Sequence, residues 1–312
     1  MSVDLAKAVG HRSKDLPVSW NQRDLLAYAA GVGAKASNLS LIYELYKAWA
    51  PLPTFPVVLA LKGDDDDVTL FTSKVQTDTV PGLPKLDARQ IVHASQSIDI
   101  LREIPSVSGA GWKLTMRVSG IHENKSGIIL EKESILVDPK GTQYAKLYSA
   151  AFYLGAKATG RKFSKQIATP PQGKPIPKDR KPDWVIKDQT TPEQAVIYRL
   201  SGDYNPLHID PKVGKSAGFG GVILHGLSAF GFAARGLISE VGNNDPRSLK
   251  FFGTRFTAPV SPGDALETQA WEVGPGPNGT IEVAFITKNT TSNKVALGGG
   301  IAFIKKLEKS RL

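Results

Sequence analysis

Residues 226–238 have the sequence Gly-Leu-Ser-Ala-Phe-Gly-Phe-Ala-Ala-Arg-Gly-Leu-Ile, which is apolar at nearly every position. A helix that is apolar on all sides is buried inside a protein rather than exposed on its surface. Four strand-like runs with turn residues between them follow this segment. They are residues 249–257, 266–273, 280–288 and 295–304. An antiparallel sheet wrapped around one buried helix is therefore the predicted architecture, of class α+β.

The first part of the chain repeats this order of elements. Asn21 and Thr191 are suitable N-caps, and each opens an apolar segment that reaches a tyrosine, Tyr28 or Tyr198. Strand-like runs also follow in the first part. They are residues 91–101, 112–121, 127–137 and 144–154. We therefore predict two repeats in one chain, paired edge to edge as two single-repeat chains would be in a dimer.

A segment rich in proline, lysine and glutamine separates the two repeats. It covers residues 161–187 and contains Pro-Pro and Gly-Lys-Pro sequences. Fixed φ angles and poor packing potential favour an exposed linker. The predicted division of the chain is a first repeat at residues 1–160, a linker at 161–187 and a second repeat at 188–312.

Composition narrows the classes of protein and of site. The chain has 41% hydrophobic and 22% charged residues, which is typical of soluble globular proteins, and it has no apolar run of membrane-spanning length. The absence of cysteine excludes disulfides, thiolate zinc sites and thiol nucleophiles from these residues. The net charge is +10, but the basic residues are scattered without stacking aromatic residues beside them. We therefore expect no nucleic-acid partner, whereas a polyanionic small ligand is compatible with this charge.

The segment most informative about chemistry is Tyr-Arg-Leu-Ser-Gly-Asp-Tyr-Asn-Pro-Leu-His, at residues 198–208. Asp203 and His208 are five positions apart, and Pro206 prevents a regular helix between them. A bent segment can direct a carboxylate and an imidazole toward one water molecule. One group can take a proton from that water while the other supplies or shuttles a proton. The sequence does not decide which group takes the proton.

The predicted start of the buried helix supplies a second component. A helix N-terminus offers free N–H groups and a positive partial charge, and Gly226 has no side chain to block a close approach. An oxygen that gains negative charge during a reaction can be stabilised there. We interpret His225 as a structural residue that shapes the turn before Gly226.

These residues resemble a known family. Residues 198–238, including Asp-x-Asn-Pro-Leu-His and Gly-Val-Ile-Leu-His-Gly-Leu, closely resemble the R-specific type 2 enoyl-CoA hydratases. That family consists of MaoC-like hot-dog proteins and includes the hydratase unit of peroxisomal multifunctional enzyme type 2. The similarity extends over most of the chain, for example at residues 52–55 and 255–263.

The resemblance implies a double hot-dog fold in which only the second repeat is catalytic and the first accommodates the acyl chain. It implies reversible hydration of trans-2-enoyl-CoA to (3R)-3-hydroxyacyl-CoA in fatty acid β-oxidation. Coenzyme A would enter only as part of the acyl-CoA substrate, with no separate cofactor and no metal. A homodimer is also expected.

The resemblance also implies roles for individual residues. Asp203 and His208 would hold the water, Asn205 would support them, and Gly226 would donate its N–H to the thioester oxygen. The residues that would contact the substrate are His93, Ala94, Lys125 and Phe256. The family often has His-Gly-Glu-Gln where this chain has His-Ala-Ser-Gln at residues 93–96, so an extra methyl group is present and a carboxylate is missing.

A comparison of the repeats supports a difference between them. When Tyr28 is aligned with Tyr198, Gly33 stands opposite Asp203, so the first repeat lacks the acid. A repeat that has lost its site can provide room, and a long acyl tail is one use of that room.

Two other functions stay open. One is dehydration of a different acyl thioester, and the other is non-catalytic binding of acyl-CoA, against which the presence of both Asp203 and His208 argues. The residues Ser310-Arg311-Leu312 differ from the peroxisomal signal Ser-Lys-Leu by one basic-for-basic change. We therefore expect binding to the peroxisomal import receptor and a location in the peroxisomal matrix.

Overall fold

Eleven strands form one sheet in the computed structural model, which describes residues 3–74, 80–86 and 91–306. The strands are β1 (Leu16–Pro17), β2 (Ile91–Ile100), β3 (Lys113–Asn124), β4 (Gly127–Val137), β5 (Gln143–Leu154), β6 (Phe163–Gln166), β7 (Trp184–Gln189), β8 (Leu249–Phe256), β9 (Ala265–Pro275), β10 (Ile281–Asn289) and β11 (Lys294–Ile304). Their order is β1-β3-β4-β5-β2-β8-β11-β10-β9-β7, and β6 also pairs with β3. Every pairing between these strands is antiparallel.

One long helix and several short ones accompany the sheet. The helices are α1 (Leu5–Ala8), α2 (Gln22–Gly31), α3 (Leu39–Ile42), α4 (Leu59–Lys62), α5 (Phe71–Lys74), α6 (Gln194–Arg199), α7 (Pro211–Ser216) and α8 (Gly226–Glu240). Every residue of α8 from Leu227 to Ile238 is buried, which confirms the predicted core helix and the class α+β. Within the three described ranges, no helix is both long enough and apolar enough to cross a bilayer.

The two repeats meet where β2 pairs with β8. The register places Ser95 opposite Arg255 and Asp99 opposite Phe251. An unpaired edge strand exposes backbone N–H and C=O groups, and here each repeat covers an edge of the other. The predicted edge-to-edge pairing within one chain is therefore confirmed.

The segment between the repeats is more ordered than its composition predicts. Residues 163–166 form β6 against β3, and residues 184–189 form β7 against β9. The prediction of an unpacked linker over 161–187 therefore needs correction at residues 163–166 and from 184 onward, and irregular backbone covers residues 161–162 and 167–183. The reason is that β3 and β9 offer backbone hydrogen-bonding groups to any extended segment that passes beside them.

The first repeat is packed differently from the second. Between α2 and β2, its described residues form α3, a 3₁₀ helix at Phe55–Val58, α4 and α5, each of four residues. Prolines at positions 51, 53 and 56 prevent one continuous helix because they lack the N–H and clash with the preceding turn. The second repeat therefore has a long central helix, whereas the corresponding part of the first repeat forms short helices.

The two predicted N-caps have different outcomes. Asn21 caps α2 in a capping box with Asp24, as predicted. Thr191 does not cap α6, because residues 191–194 first form a turn in which the amide of Gln194 bonds to the carbonyl of Thr191 at 3.0 Å. The helix begins at Gln194, three positions after Thr191, whereas a cap at 191 would start it at position 192.

Candidate active site

The loop between α6 and α7 carries Asp203 and His208. Gly202 turns the chain before Asp203 with a φ of +117°, a backbone conformation that favours glycine. A Cβ atom at Gly202 would lie 2.6 Å from the Cβ of Lys62, so this loop packs directly against α4 of the first repeat. The first repeat therefore helps to hold the loop that carries the acid.

A 3₁₀ turn at Pro206–His208 brings the imidazole near the carboxylate. Asn205 is the N-cap of this turn: its Oδ1 accepts from the amide of Leu207 at 3.0 Å, and its own amide donates to Oδ1 of Asp203 at 3.2 Å. The ligand atoms of Asp203 and His208 lie within 4.8 Å of each other. The predicted bend and the proximity of the pair are both confirmed, and Asn205 holds the loop through these two hydrogen bonds.

A backbone carbonyl determines the tautomer of neutral His208. Its Nδ1 lies 2.9 Å from the carbonyl oxygen of Ile223. A carbonyl oxygen only accepts hydrogen bonds, so Nδ1 carries the hydrogen and Nε2 of the neutral ring has a free lone pair. Sequence reasoning missed Ile223, because a main-chain acceptor leaves no signal in the residue type.

Burial disfavours charge on both members of the pair. It raises the pKa of Asp203 and lowers the pKa of His208 relative to their ordinary values. The attraction between the two charged forms and the backbone hydrogen bonds oppose these shifts without reversing them. The site therefore suits a carboxyl group that supplies a proton beside an imidazole that accepts one.

His225 contacts both members of the pair. It is the N-cap residue of α8, its Nε2 donates to the main-chain oxygen of Asp203 at 3.1 Å, and its ring stacks on His208 with centroids 3.8 Å apart. Its ring also lies 4.8 Å from that of Tyr198. Burial lowers the pKa of His225 well below its ordinary value, so the ring is neutral. The sequence does not predict this stack, since it joins three elements of the chain.

Asp203, His208 and His225 form a cluster of potential metal ligands, with all three ligand atoms within 4.8 Å of one another. A metal ion requires lone pairs that converge on one point. Here the two imidazole planes are stacked at 28°, and one nitrogen of each ring already bonds to a carbonyl. A histidine ligand commonly donates its other ring N–H to a carbonyl, so these contacts leave one nitrogen of each ring available, and a reaction without metal stays a prediction.

The start of α8 adjoins the pair through His225. The amides of Ser228 and Ala229 bond to the carbonyl of His225, whereas the amide of Gly226 makes no hydrogen bond within the described part of the chain. A free N–H at the positive end of a helix dipole can bind an oxygen that carries negative charge. A Cβ atom at Gly226 would lie 3.2 Å from the ring of Phe256, so only a small residue leaves this approach open.

Two of the four residues predicted to contact the substrate are close to this helix end. Phe256 lies against Gly226, and its ring centroid is 4.7 Å from that of His93. Burial lowers the pKa of His93 to about 4, so this ring is neutral at ordinary pH. The first repeat therefore reaches the site through the pairing of β2 with β8.

The other two predicted contacts lie outside this group of touching residues. Ala94 is the extra residue of a β-bulge between β2 and β5, and it lines a cleft of about 290 Å³. Lys125 is exposed in the turn between β3 and β4, where its carbonyl accepts from Nζ of Lys157 at 2.6 Å. Their roles in substrate binding stay predictions.

The space at Gly33, the counterpart of Asp203 in the first repeat, is already filled. Gly33 has a φ of +78°, and a Cβ atom there would lie 2.2 Å from the ring of Phe232 on α8. The expectation that loss of the acid makes room at this point is therefore corrected. Any space for an acyl chain in the first repeat lies elsewhere.

Two families match consecutive parts of the chain. Residues 18–155 match the MFE-2 hydratase 2 N-terminal domain, and residues 174–295 match the MaoC like domain. The gap between the two matches, residues 156–173, overlaps the segment that separates the repeats. Each repeat of the fold therefore has its own family match.

Relatives that match most of this chain support the same assignment. The "Probable enoyl-CoA hydratase 2" of Dictyostelium discoideum is 32% identical over 316 residues, covering 100% of both chains. The "Peroxisomal multifunctional enzyme type 2" of Mus musculus is 33% identical over 274 residues, which are 86% of this chain and 35% of that protein. The crystal structure of a MaoC-like dehydratase from Phytophthora capsici has a TM-score of 0.88 and 32% identity, covering 99% of this chain and 100% of that chain.

The order of the two matched domains agrees with the order of the repeats. The coverage of these relatives and the shared sheet indicate the same family. The chain belongs to the MaoC-like, enoyl-CoA hydratase 2 family and has its double hot-dog fold.

Proposed function

We propose that this chain adds water reversibly to the double bond of a trans-2-enoyl-CoA and forms a (3R)-3-hydroxyacyl-CoA. The observation that carries the proposal is the pair of half-buried Asp203 and buried His208 beside the free amide of Gly226. The name of the Dictyostelium relative supports the substrate class. Coenzyme A takes part as a portion of the substrate, and the chemistry needs no other group.

In the proposed mechanism, His208 is the base. Its Nε2 has a free lone pair because Nδ1 donates to Ile223, so Nε2 takes a proton from the water as oxygen bonds to C3. Asp203, whose pKa burial raises, supplies a proton to C2. Transfer of the proton from His208 to Asp203 then restores the starting state. The pair must hold one proton, so kcat/KM should depend on pH in a bell shape.

The helix end stabilises the intermediate charge. Attack at C3 moves electrons onto the thioester oxygen, and the N–H of Gly226 donates to that oxygen while the dipole of α8 stabilises the negative charge. Phe256 and His93 form an adjoining wall for the acyl thioester, with their rings 4.7 Å apart. We assign Ala94, beside His93, to a contact with the substrate and Lys125 to a contact with its coenzyme A portion.

We further propose that the first repeat is non-catalytic and accommodates the acyl chain. Gly33 stands where the second repeat has its acid, and short helices stand where the second repeat has α8. If this is right, the chain should hydrate trans-2-decenoyl-CoA at least as efficiently as crotonyl-CoA. Activity restricted to crotonyl-CoA would count against it.

The decisive experiment is a hydration assay with crotonyl-CoA and trans-2-decenoyl-CoA, followed by chiral analysis of the product. Asp203→Asn and His208→Gln should each lower kcat by about 10²–10⁴-fold while acyl-CoA binding is kept. Asp15→Asn and His122→Gln are the controls, since they change the same residue types outside the site. His122 lies on β3 and Asp15 lies near it, so both variants should retain activity. Normal turnover in both site variants, or a (3S) product, would refute the proposal.

A related dehydratase activity is the second candidate, supported by the similarity to the MaoC-like dehydratase of Phytophthora. Dehydration is the reverse of the proposed reaction, so the difference lies in the acyl group. Turnover of a branched acyl thioester with no turnover of either straight-chain substrate would favour this candidate. Binding without any turnover would instead favour a non-catalytic acyl-CoA binding protein.

We propose the peroxisomal matrix as the location and a homodimer as the assembly. The name of the mouse relative supports the compartment. Residues 310–312, which would bind the import receptor, lie outside the described residues. Deletion of these three residues should leave a tagged protein in the cytosol when cells are imaged, and light scattering would measure the assembly.

A further inference from the structure

His225 contacts Asp203, His208 and the start of α8. Its Nε2 donates to the main-chain oxygen of Asp203 at 3.1 Å, and its ring stacks on His208 at 3.8 Å. Its carbonyl accepts from the amides of Ser228 and Ala229 in the first turn of α8, and Gly226 is the next residue in the chain. A shift of His225 would therefore move the acid, the base and the oxygen-binding amide together.

The hydrogen bond to Asp203 determines the tautomer of His225. The acceptor is a carbonyl oxygen, so Nε2 must carry the hydrogen and Nδ1 of the neutral ring is bare. Nδ1 is buried and makes no hydrogen bond within the described residues. A proton added at Nδ1 would be a buried charge next to His208, which burial and the nearby His208 and Arg199 disfavour. The ring therefore stays neutral while His208 changes its protonation state.

A row of aromatic rings supports His225 from behind. Tyr198 lies 4.8 Å from His225, and Tyr28 of the first repeat lies 6.1 Å from Tyr198. Tyr28 donates to Thr54 at 3.0 Å and is fully buried. A Cβ atom at Gly31 would lie 3.0 Å from Tyr198, so α2 and α6 are in close contact here. The row connects the first repeat to the imidazole of the second.

We propose that His225 is a positioning residue for the hydration reaction. It holds Asp203 through the main chain and His208 through ring stacking, and the first repeat supports it through Tyr198 and Tyr28. This inference rests on the proposed function, and it assigns His225 a role beyond shaping the turn before α8.

Two substitutions separate the two contacts. His225→Phe keeps a stacked ring and removes the donor, so Asp203 loses its restraint while His208 stays covered. His225→Gln keeps an N–H at about the same reach and removes the ring, so water gains access to His208. His122→Gln is the control, since His122 lies on β3 and bonds to Ser164 at 2.8 Å.

The expected results differ between the variants. His225→Phe should lower kcat by about 10²-fold with little change in KM, because a misplaced reacting group affects the chemical step. In that variant, the pKa of His208 measured by NMR titration should stay below its ordinary value. His225→Gln should raise the pKa of His208 toward its ordinary value and move the acidic limb of the pH–rate profile to higher pH. Asp203 is the charged group that acts on the pKa of His208, and His208 and Arg199 act on the pKa of His225. The phenol of Tyr198 also faces His225, with ring centroids 4.8 Å apart.

Unchanged kcat in both variants, together with an unchanged NMR titration of His208, would overturn the inference. Circular dichroism and acyl-CoA binding identify a variant that has merely unfolded. If one variant unfolds, the result for the other variant decides whether His225 positions the site. If the original chain hydrates no enoyl-CoA, the proposed function fails. The NMR titration of His208 in His225→Gln still tests the positioning, because it needs no turnover.

Discussion

At the scale of single residues, burial decides the protonation of the histidines that line the site. It lowers the pKa values of His93, His208 and His225, although charge attraction or hydrogen bonds act in the opposite direction on each. Each ring is therefore neutral in the folded chain under conditions in which an unfolded chain begins to bind protons. The same feature that prepares His208 as a base makes the fold sensitive to acid.

His93 allows this sensitivity to be measured. Its pKa falls from 6.5 to about 4 on burial, so its contribution to stability is complete above pH 6.5 and is lost as the pH falls toward 4. The free energy of unfolding should fall between pH 7 and pH 5 in both the original chain and His93→Gln. The fall should be smaller in His93→Gln, by about 2 kcal/mol, because the variant lacks this histidine. Urea unfolding at both pH values measures this, with His122→Gln as the control. Equal decreases in all three proteins would contradict the assignment.

At the scale of elements, α8 packs so closely against the end of α2 that glycine is required there. Gly33 has a positive φ, and the ring of Phe232 occupies the position of its absent Cβ. Neither helix shows this requirement in its own sequence, because the contact joins the first repeat to the second. The close approach explains why the counterpart of Asp203 is a residue without a side chain.

Gly33→Ala should therefore destabilise the fold. Overpacking costs about 1–3 kcal/mol and the positive φ about 1–2 kcal/mol, so the free energy of unfolding should fall by about 2–5 kcal/mol. Gly109→Ala is a matched control, since Gly109 has a φ of +66° and a Cβ atom there would have no neighbour within 4 Å. Adding Phe232→Leu should recover part of the loss at position 33. Equal losses in the two single variants would show that backbone strain alone is responsible.

At the scale of the whole molecule, one buried ion pair connects three parts of the chain. Arg235 of α8 pairs with Asp188 of β7, and both side chains are buried. Arg235 also donates through Nε to the carbonyl of Val32 in the first repeat at 3.0 Å. The helix, the strand that follows the inter-repeat segment and the first repeat are thereby held at one point.

Removal of one charge from this pair should be costly. Arg235→Met leaves the carboxylate of Asp188 buried without its partner, so the free energy of unfolding should fall by about 3–5 kcal/mol. Lys113→Met removes the exposed pair with Asp15 and should cost less than about 1 kcal/mol. Chemical denaturation compares the two variants. A small loss in Arg235→Met would show that Asp188 reaches solvent.

The features that depend on neighbours along the chain could be predicted from the order of the amino acids. Apolar character on all sides predicted the burial of α8, alternating runs predicted the main strands, and the spacing around Pro206 predicted the proximity of Asp203 and His208. The tautomer of His208, its stack on His225, the filled space at Gly33 and the pairing of β6 and β7 became visible only in the folded chain. Those features depend on contacts between residues far apart in the chain, and local conformational preference carries no information about which distant atoms will meet.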